Sequence, residues 1–360
     1  MLFFELIRIA LGSQTCFSRP PSEQEWLELL KESARQTVIG VTYRALNNLP
    51  ANQRPPMQIL LDWQATVQKI IYENKRLNHD SVWVSKRFQK AGFRNAILKG
   101  QGIALLYPEP LLRIGGDIDV WLDGKQNDII KYITHFFPKT RVQWQEVDFP
   151  IKKGTCIEVH TIPALMFHPI DRHRMKAFFN QHREEIFTNE TELPGEEGKV
   201  CDPTLRVNMT FLLIHIYRHL FNEGIGLRQI VDYYYILQHC QETGQTNLIA
   251  ETAQMVRHLH MTRFVGALMW VMQEVFLLPD ELLILPANES EGRFLLQEIM
   301  RSGNFGLYDN RNQHKKTKWG NFWFQTARNM RFLFRYPREV IWNPGYRLAQ
   351  FIWRKCNGYR

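Results

Sequence analysis

The chain has 360 residues, with 45 lysines and arginines against 36 aspartates and glutamates, so its formal charge is +9. Hydrophobic residues make up 44% and charged residues 22%, which is near the average for globular proteins and excludes a mostly disordered chain or a fibrous repeat. No apolar run approaches the roughly 18 residues that a membrane-spanning helix needs. The N-terminal stretch carries Glu5 and Arg8 and lacks the features of a signal peptide, so we expect a cytoplasmic protein.

The cysteines and the charge distribution add two constraints. The five cysteines are widely separated and form no Cys-x-x-Cys pair, so the sequence supports neither a disulfide framework nor a thiolate zinc site. Residues 311–360 contain twelve basic residues, one acidic residue and twelve of the 45 aromatic residues. A nearly neutral body therefore precedes a basic, aromatic tail.

The N-terminal region, residues 1–90, is predicted to be helical. Ser22 and Glu25 have the spacing of a capping box, in which each residue's side chain bonds to the backbone of the other. A second, long helix is predicted from about residue 57 to residue 91, and its mixed polar and apolar surface is typical of a helix that packs over a neighbouring domain.

Residues 91–165 are predicted to form an α/β core. Asn95–Leu98 predicts a strand that ends at Lys99, followed by a helical stretch to about Tyr107. Ile118–Leu122 predicts a second strand, and residues 141–151 and 155–162 predict a hairpin. The expected fold class is α+β, with a small mixed β-sheet flanked by N-terminal and C-terminal helical regions.

The rest of the chain is predicted to comprise a polar connector (166–202), a C-terminal helical domain (203–310) and the basic aromatic tail (311–360). The connector is expected to carry mobile loops. Helices in the tail are expected to break at Pro337 and Pro344, because proline removes a backbone donor.

Two aspartates on the second predicted strand are the sharpest chemical signal. Asp117 and Asp119 are two residues apart, so their side chains project from the same face of the strand. Adjacent carboxylates repel each other unless a cation lies between them, and Mg²⁺ prefers oxygen ligands. Gly115 and Gly116 would let a phosphate approach the backbone. The alternative is a pair of solvated aspartates at a strand end.

Residues on both sides of this pair strengthen the chemical interpretation. Lys99 and Gly100 stand where the first strand meets a helix, a position suited to binding an anion. Glu158 and His160 share one face of a later strand, so Glu158 could supply a third carboxylate. Read alone, a residue such as Glu158 is more often an exposed strand residue.

These motifs resemble a known family. The run Leu98-Lys99-Gly100, then Arg113 and Gly116-Asp117-Ile118-Asp119-Val120, then Glu158-Val159-His160, looks like the uncharacterised nucleotidyltransferase family of the DNA polymerase beta-like superfamily. Further similarities lie at Glu25-Trp26, at Tyr43-Arg44-Ala45-Leu46, and in the segment from His215 to Leu237 with His219, Arg228 and Asp232. The sequence departs from the wider superfamily in having Lys99-Gly100 where a Gly-Ser pair is expected.

The resemblance implies a metal-dependent transfer of a nucleoside monophosphate from an NTP donor to a hydroxyl or phosphate acceptor, with release of pyrophosphate. It implies that Asp117, Asp119 and Glu158 are catalytic and hold Mg²⁺, with Mn²⁺ as the alternative ion. Its expected substrate-binding residues are Lys99, Gly100, Arg113, Gly115, Gly116, His160 and Arg228. The acceptor stays open between a small molecule, a sugar phosphate, a protein and RNA.

Weaker signals leave alternatives open. His215 and His219 share a helix face, but packed or surface histidines are commoner than zinc ligands. Arg228 and Asp232 could pair along their helix. Four tail arginines at positions 328, 331, 335 and 338 form a basic stripe along a predicted helix. Such a stripe suits peripheral contact of residues 315–360 with the anionic inner face of a membrane, or binding to a nucleic acid.

Two other functions are therefore weighed against the enzyme. One is a catalytically silent relative that binds a nucleotide. The other is an adaptor for a membrane surface or RNA that acts through the tail. The structural alternative for the tail is that its aromatic residues pack on the body and its arginines are solvated.

Overall fold

The computed structural model describes residues 2–196, 198–309 and 318–359 of the chain. The N-terminal region contains four helices: α1 (Leu2–Leu11), α2 (Glu23–Arg35), α3 (Ile39–Leu46) and α4 (Met57–Lys90). The predicted capping box is confirmed, because the Ser22 hydroxyl accepts a hydrogen bond from the Glu25 N–H and the Glu25 carboxylate accepts one from the Ser22 N–H. The long helix α4 is also confirmed.

The core follows directly after α4. Its elements are β1 (Asn95–Leu98), α5 (Gly100–Ala104), β2 (Ile118–Leu122), α6 (Gln126–Phe136), β3 (Glu146–Asp148) and β4 (Ile157–His160). The four strands form one mixed sheet in the order β1-β2-β4-β3, in which β2 and β4 run parallel and the other pairs antiparallel. The α+β fold class and the small mixed sheet are therefore as expected.

Two elements of the core are shorter than predicted. The helix after β1 ends at Ala104 instead of about Tyr107. In the hairpin, the first arm is only three residues long, because the chain folds back on itself through a bridge between Val142 and Val147 before it pairs with β4.

The register of the sheet brings its acidic residues to one face. Asp119 on β2 lies opposite Glu158 on β4, and Glu158 lies opposite Asp148 on β3. Two residues further along β4, His160 lies opposite Glu146 of β3. The valines between these positions point to the other face, where they join a core with α4. Burial of one face thus fixes the acids on the other.

The connector is more ordered than predicted. It forms α7 (Pro169–Gln181), α8 (Arg183–Thr188), β5 (Glu190–Glu192) and β6 (Lys199–Cys201), and β5 and β6 make a small antiparallel hairpin. Phe179 and Phe187 are buried against Trp121 of β2. The polar sequence conceals apolar residues that cover Trp121 on the central strand β2, so most of the connector folds against the sheet.

The C-terminal half is helical. Its helices are α9 (Leu205–Asn222), α10 (Leu227–Glu242), α11 (Asn247–His258), α12 (Thr262–Phe276), α13 (Glu289–Ser302), α14 (Lys318–Met330) and α15 (Pro337–Cys356). Pro337 starts α15, but Pro344 lies inside it, so the predicted break there was wrong. Buried residues on both sides of Pro344, Val340 and Tyr346, hold the helix against the body. Within the described ranges, no helix is both long and apolar enough to cross a bilayer.

The predicted basic stripe of the tail is largely engaged with the body. Arg331 pairs with Glu298 at 3.1 Å and Arg335 pairs with Glu291 at 2.8 Å. Arg338 reaches the buried Asp171 in the same way, with Nε 2.9 Å from Oδ2. These pairs fasten the tail to the body, so Arg331, Arg335 and Arg338 are not simply solvated, as the structural alternative held. Membrane contact through residues 315–360 stays a prediction.

Arg328, the first residue of the stripe, is buried and aims both guanidinium NH₂ groups at the end of α9. They lie 3.3 Å and 3.4 Å from the carbonyl oxygens of Phe221 and Leu220. Those carbonyls belong to the last turn of α9, which has no intrahelical donors for them. Arg328 therefore caps the C-terminus of α9.

Candidate active site

Lys99 stands at the junction of β1 and α5 and reaches across to β2. Its backbone adopts a positive φ of 56°, which is uncommon for a residue with a side chain. Its Nζ lies 2.9 Å from Oδ2 of Asp119. Burial alone would lower the pKa of Lys99, but the carboxylates of Asp119 and Asp117 outweigh it and raise that pKa. Lys99 is therefore a fixed positive charge beside the aspartates.

Asp119 is buried at the centre of the site. Besides Lys99, it binds His160, whose Nε2 lies 2.6 Å from Oδ1 of Asp119. Burial would raise the pKa of Asp119, but Lys99 and His160 more than offset it and hold that pKa far below its ordinary value. For His160, burial alone would lower the pKa, but the hydrogen bond to Asp119 outweighs burial and raises that pKa. Asp119 is thus ionised, and His160 orients it.

Glu158 lies next to Asp119 on the neighbouring strand. Three potential metal-ligand atoms lie within 4.8 Å of one another: a carboxylate oxygen of Asp119, a carboxylate oxygen of Glu158 and a ring nitrogen of His160. Arg141 donates a hydrogen bond of 3.0 Å to Glu158. Burial raises the pKa of Glu158 to about 7, with further contributions from the nearby carboxylates of Glu146 and Asp119. Glu158 therefore lies in a cluster of carboxylates, with Arg141 as its cationic partner.

Asp117 comes just before β2, and its exposed side chain lines the same cavity. The carboxylate of Asp119 raises the pKa of Asp117, and partial desolvation by the cavity walls adds to the effect, while Lys99 opposes it. Asp117 is not part of the group of atoms within 4.8 Å. The structure thus brings Asp119 and Glu158 together and leaves Asp117 at the cavity side of the pair.

The predicted glycines have different roles. Gly100 has a φ of +40°, in the region that favours glycine. A Cβ on Gly115 would lie 2.3 Å from Cδ1 of Leu77, so Gly115 is required for packing against α4. A Cβ on Gly116 would meet nothing within 4 Å, which leaves open space beside the backbone there.

Arg113 does not face the cavity, although it was expected to hold phosphate. Its Nε and Nη2 donate hydrogen bonds of 2.7 Å and 2.8 Å to the two carboxylate oxygens of Asp232. Both side chains are 5% exposed. Because this bidentate pair is buried, the structure replaces the predicted phosphate contact of Arg113 with a structural one. It also replaces the expected pairing of Arg228 with Asp232 along their helix.

Arg228, in contrast, lines the cavity. Its Nη1 donates to the carbonyl oxygen of Ile114 at 2.9 Å, and its guanidinium lies 5.7 Å from the centre of the Phe305 ring. Burial lowers the pKa of Arg228, and the charge of Arg113 adds to this effect. Its Nε is buried without a hydrogen-bond partner. Arg228 is therefore placed to meet an anion in the cavity.

The two histidines of α9 lie in the cavity wall. His215 has its Nδ1 3.5 Å from Nζ of Lys99, and its ring packs edge-on against His219. Burial holds the pKa of His215 well below its ordinary value, and the charges of Lys99 and His219 lower it further. Within the described residues, neither histidine joins the group of potential metal ligands. The commoner interpretation, packed histidines, fits this geometry.

The cavity that unites these residues has a volume of about 1520 Å³. Sequence reasoning missed several of its residues, among them Arg141, Glu146, Arg218 and one side of α15. Burial would raise the pKa of Glu146, but His160 and Arg218 outweigh it and lower that pKa. The alternation of Glu146 with Asp148 on the predicted hairpin was the signal that could have revealed it.

Comparison with protein-family models gives a match to "Uncharacterised nucleotidyltransferase" over residues 22–277. The chain belongs to this nucleotidyltransferase family. The matched stretch includes all ten predicted site residues and the whole four-stranded sheet. It ends before α13, so the tail lies outside it.

Other comparisons add less to the family assignment. A search of curated proteins gives no match. Among solved structures, the chain is similar to an antigenic nucleotidyltransferase-like protein from Paracoccidioides brasiliensis. That similarity has 12% sequence identity and a TM-score of 0.29, and it covers 51% of this chain and 92% of the other.

Proposed function

We propose that this chain transfers a nucleoside monophosphate from an NTP to a hydroxyl or phosphate acceptor and releases pyrophosphate. The observation that carries the proposal is the convergence of Asp119 and Glu158 from adjacent strands beside the fixed cation of Lys99. Family membership supplies the general class of reaction. The cavity that these residues line supplies space for the substrates.

The carboxylates fit a divalent cation. Asp117, Asp119 and Glu158 offer oxygen ligands. The carboxylate of Asp119 raises the pKa of Asp117, and it adds to the effect of burial on the pKa of Glu158, so a cation between these groups would relieve their repulsion. We propose Mg²⁺, with Mn²⁺ as the alternative, held by these three residues. When bound, such an ion neutralises phosphate charge and lowers the pKa of an acceptor hydroxyl.

The chain's own side chains supply the remaining functions. Lys99 and Arg228 would contact phosphate oxygens of the donor, and the open space at Gly116 would admit the phosphates close to the backbone. Glu158 would accept the proton of the attacking hydroxyl. The acceptor oxygen then bonds to the α-phosphorus, the bond from that phosphorus to the bridging oxygen breaks, and pyrophosphate leaves.

Labelled nucleotides test the reaction class. The full chain is incubated with Mg²⁺, a cell lysate and NTPs labelled at either the α- or the γ-phosphate. We expect label from the α-phosphate to appear on an acceptor and label from the γ-phosphate to appear in pyrophosphate. Transfer of the γ-label to the acceptor would instead mean phosphoryl transfer and would contradict the proposal.

The variant Asp119→Asn tests the site. It removes the charge that Lys99 and His160 neutralise, and we expect at least about a hundredfold loss of transfer. Asp128→Asn is the matched control, because Asp128 is exposed on α6 and lies outside the cavity. Circular dichroism shows whether each variant is folded. Full activity in folded Asp119→Asn would exclude the assignment, and NTP binding without pyrophosphate release by the wild type would favour the silent relative.

A further inference from the structure

One face of α15 forms a wall of the cavity. Arg347, Gln350, Phe351, Arg354 and Lys355 all line it. Their positions follow the i, i+3, i+4, i+7, i+8 spacing of a single helix face. The tail, which the sequence identified by its charge, therefore enters the site that the core forms.

Aromatic stacking holds this face in place. The ring of Trp353 stacks on Trp144 with centroids 6.0 Å apart, and Tyr346 stacks on the same ring at 5.7 Å. Gln350 donates a hydrogen bond of 3.1 Å to the side chain of Gln143. Trp144 and Gln143 precede β3, so α15 is attached directly to the catalytic sheet.

The face that α15 turns to the cavity is positively charged. Among the described residues, none of Arg347, Arg354 and Lys355 forms an ion pair, whereas Arg335 and Arg338 of the same tail do. The Nε of Arg354 is buried without a hydrogen-bond partner. Arg347 and Arg354 are half-buried and Lys355 is exposed, and Arg347 donates a hydrogen bond of 3.4 Å to the carbonyl oxygen of Phe322. Half-buried cations without a counter-charge carry a desolvation cost, which an anion in the cavity would offset.

The cations around the cavity fall into two groups. Lys99 and Arg228 lie beside Asp119 and Asp117. Arg354 lies close enough to Arg141 for their charges to interact, and Arg141 binds Glu158 at 3.0 Å. Arg354 is thus connected through Arg141 to the acid that would deprotonate the acceptor, whereas Lys99 pairs with Asp119.

The volume of the cavity allows two ligands at once. At about 1520 Å³ it exceeds the roughly 300–1,000 Å³ of a pocket for one small ligand. The α15 cations lie within this cavity and span only two helical turns. That placement suits a compact anionic group better than a long polyanion.

We propose that the inner face of α15 binds a phosphate group of a small phosphorylated acceptor, an inference that rests on the proposed nucleotidyl transfer. Arg347 and Arg354 donate to the phosphate oxygens, and Lys355 adds a point charge at the cavity mouth. The acceptor's attacking oxygen is thereby directed to Glu158. The donor stays with Lys99 and Arg228.

The test uses inorganic phosphate as the probe. The full chain is saturated with Mg²⁺ and an NTP analogue that has a methylene between its α- and β-phosphates, and phosphate is titrated calorimetrically. We expect saturable binding to the wild type and at least about tenfold weaker binding to the variant Arg347→Gln/Arg354→Gln/Lys355→Gln, with analogue affinity unchanged within about twofold. The control, Lys69→Gln/Lys90→Gln/Lys131→Gln, removes three exposed lysines that do not line the cavity, and should bind phosphate like the wild type.

Lys355→Gln alone keeps the test valid if the triple variant does not fold, because Lys355 is exposed. We expect about threefold weaker phosphate binding for it. Unchanged phosphate binding by the folded variants, or none by the wild type, overturns the proposal. A parallel loss of analogue affinity in the triple variant also overturns it, because the cations would then serve the donor.

Label transfer with the small-molecule fraction of a lysate distinguishes the source of the phosphate. Phosphatase treatment of that fraction should abolish labelled products, and transfer to RNA in preference to this fraction would refute a small acceptor. If the wild type binds phosphate through α15 but releases no pyrophosphate from any NTP, nucleotidyl transfer fails while the anion site stands. The two failures are therefore distinguishable.

Discussion

The buried pair between Arg113 and Asp232 offers a decisive test of the site's construction. Asp232 accepts two hydrogen bonds from Arg113 and a third, of 2.6 Å, from the hydroxyl of Tyr107. Asn74 on α4 donates a hydrogen bond of 2.7 Å to the carbonyl oxygen of Arg113. The pair ties the loop before Asp117 to α10, so its loss should act on stability first.

The variant Arg113→Met leaves the carboxylate of Asp232 buried without its counter-charge. Both partners are 5% exposed, so solvent screens little of the effect. Removing one member of such a pair costs about 3–5 kcal/mol in the free energy of unfolding. Replacing both, in Arg113→Met/Asp232→Leu, removes the uncompensated charge, and we expect it to recover part of that loss, because the hydroxyl of Tyr107 then lacks its acceptor.

Urea unfolding and calorimetric titration of the NTP analogue separate the two roles of Arg113. If the pair is structural, the double variant regains stability and binds the analogue within about twofold of the wild type. Arg228→Met is the comparison variant, because Arg228 lines the cavity, and it should weaken analogue binding at a smaller cost in stability. A double variant that is stable but has lost analogue affinity would refute this reasoning and restore Arg113 as a phosphate ligand.

Two further predictions concern how the tail attaches to the body. Burial raises the pKa of Glu339 to about 7, although its carboxylate accepts a hydrogen bond from the Phe167 N–H. The native state therefore binds a proton at Glu339 more tightly than the unfolded state does. The free energy of unfolding should fall as the pH rises from about 4.5 to about 7. Glu339→Gln should remove about 3 kcal/mol of that decline, at about 1.4 kcal/mol per pKa unit, and identical urea midpoints against pH for both proteins would contradict it. Trp353→Ala should cost at least about 1 kcal/mol by removing the stack on Trp144 and should speed tryptic cleavage after Arg354, whereas Trp323→Ala, at a tryptophan 65% exposed, should not. Equal protease resistance of the two variants would mean that the stack does not hold α15.

Local spacing was enough to predict the central strands and which of their residues share a face. β2 has the predicted bounds, and Asp119 lies on it, while Asp117 comes just before it and lines the cavity. Glu158 and His160 follow from the two-residue period of a strand on β4. What spacing did not give was the parallel pairing of β2 with β4, which sets Asp119 opposite Glu158. That register depends on apolar burial on the far face, which no single strand reveals.

Arg113 shows why the role of a charged residue is harder to predict than its presence. Its position before the Asp pair fitted a phosphate contact, and the spacing of Arg228 and Asp232 fitted a helical pair. In the structure the partners are exchanged, because Asp232 binds Arg113 from a distant part of the chain and Arg228 is left facing the cavity. Exchange of this kind depends on how α10 packs against the loop, and local sequence does not specify it.

The tail carries the same argument further, because two sets of its cations are alike in sequence and differ in structure. Arg335 and Arg338 pair with Glu291 and Asp171, acids contributed by distant helices, and so fasten the tail. Arg354, near the C-terminal end of α15, forms no ion pair among the described residues and lines the cavity instead. A basic amphipathic pattern measures only how cations are distributed around a helix. Whether they stabilise the fold or bind a substrate is decided by the acids that the rest of the fold places opposite them.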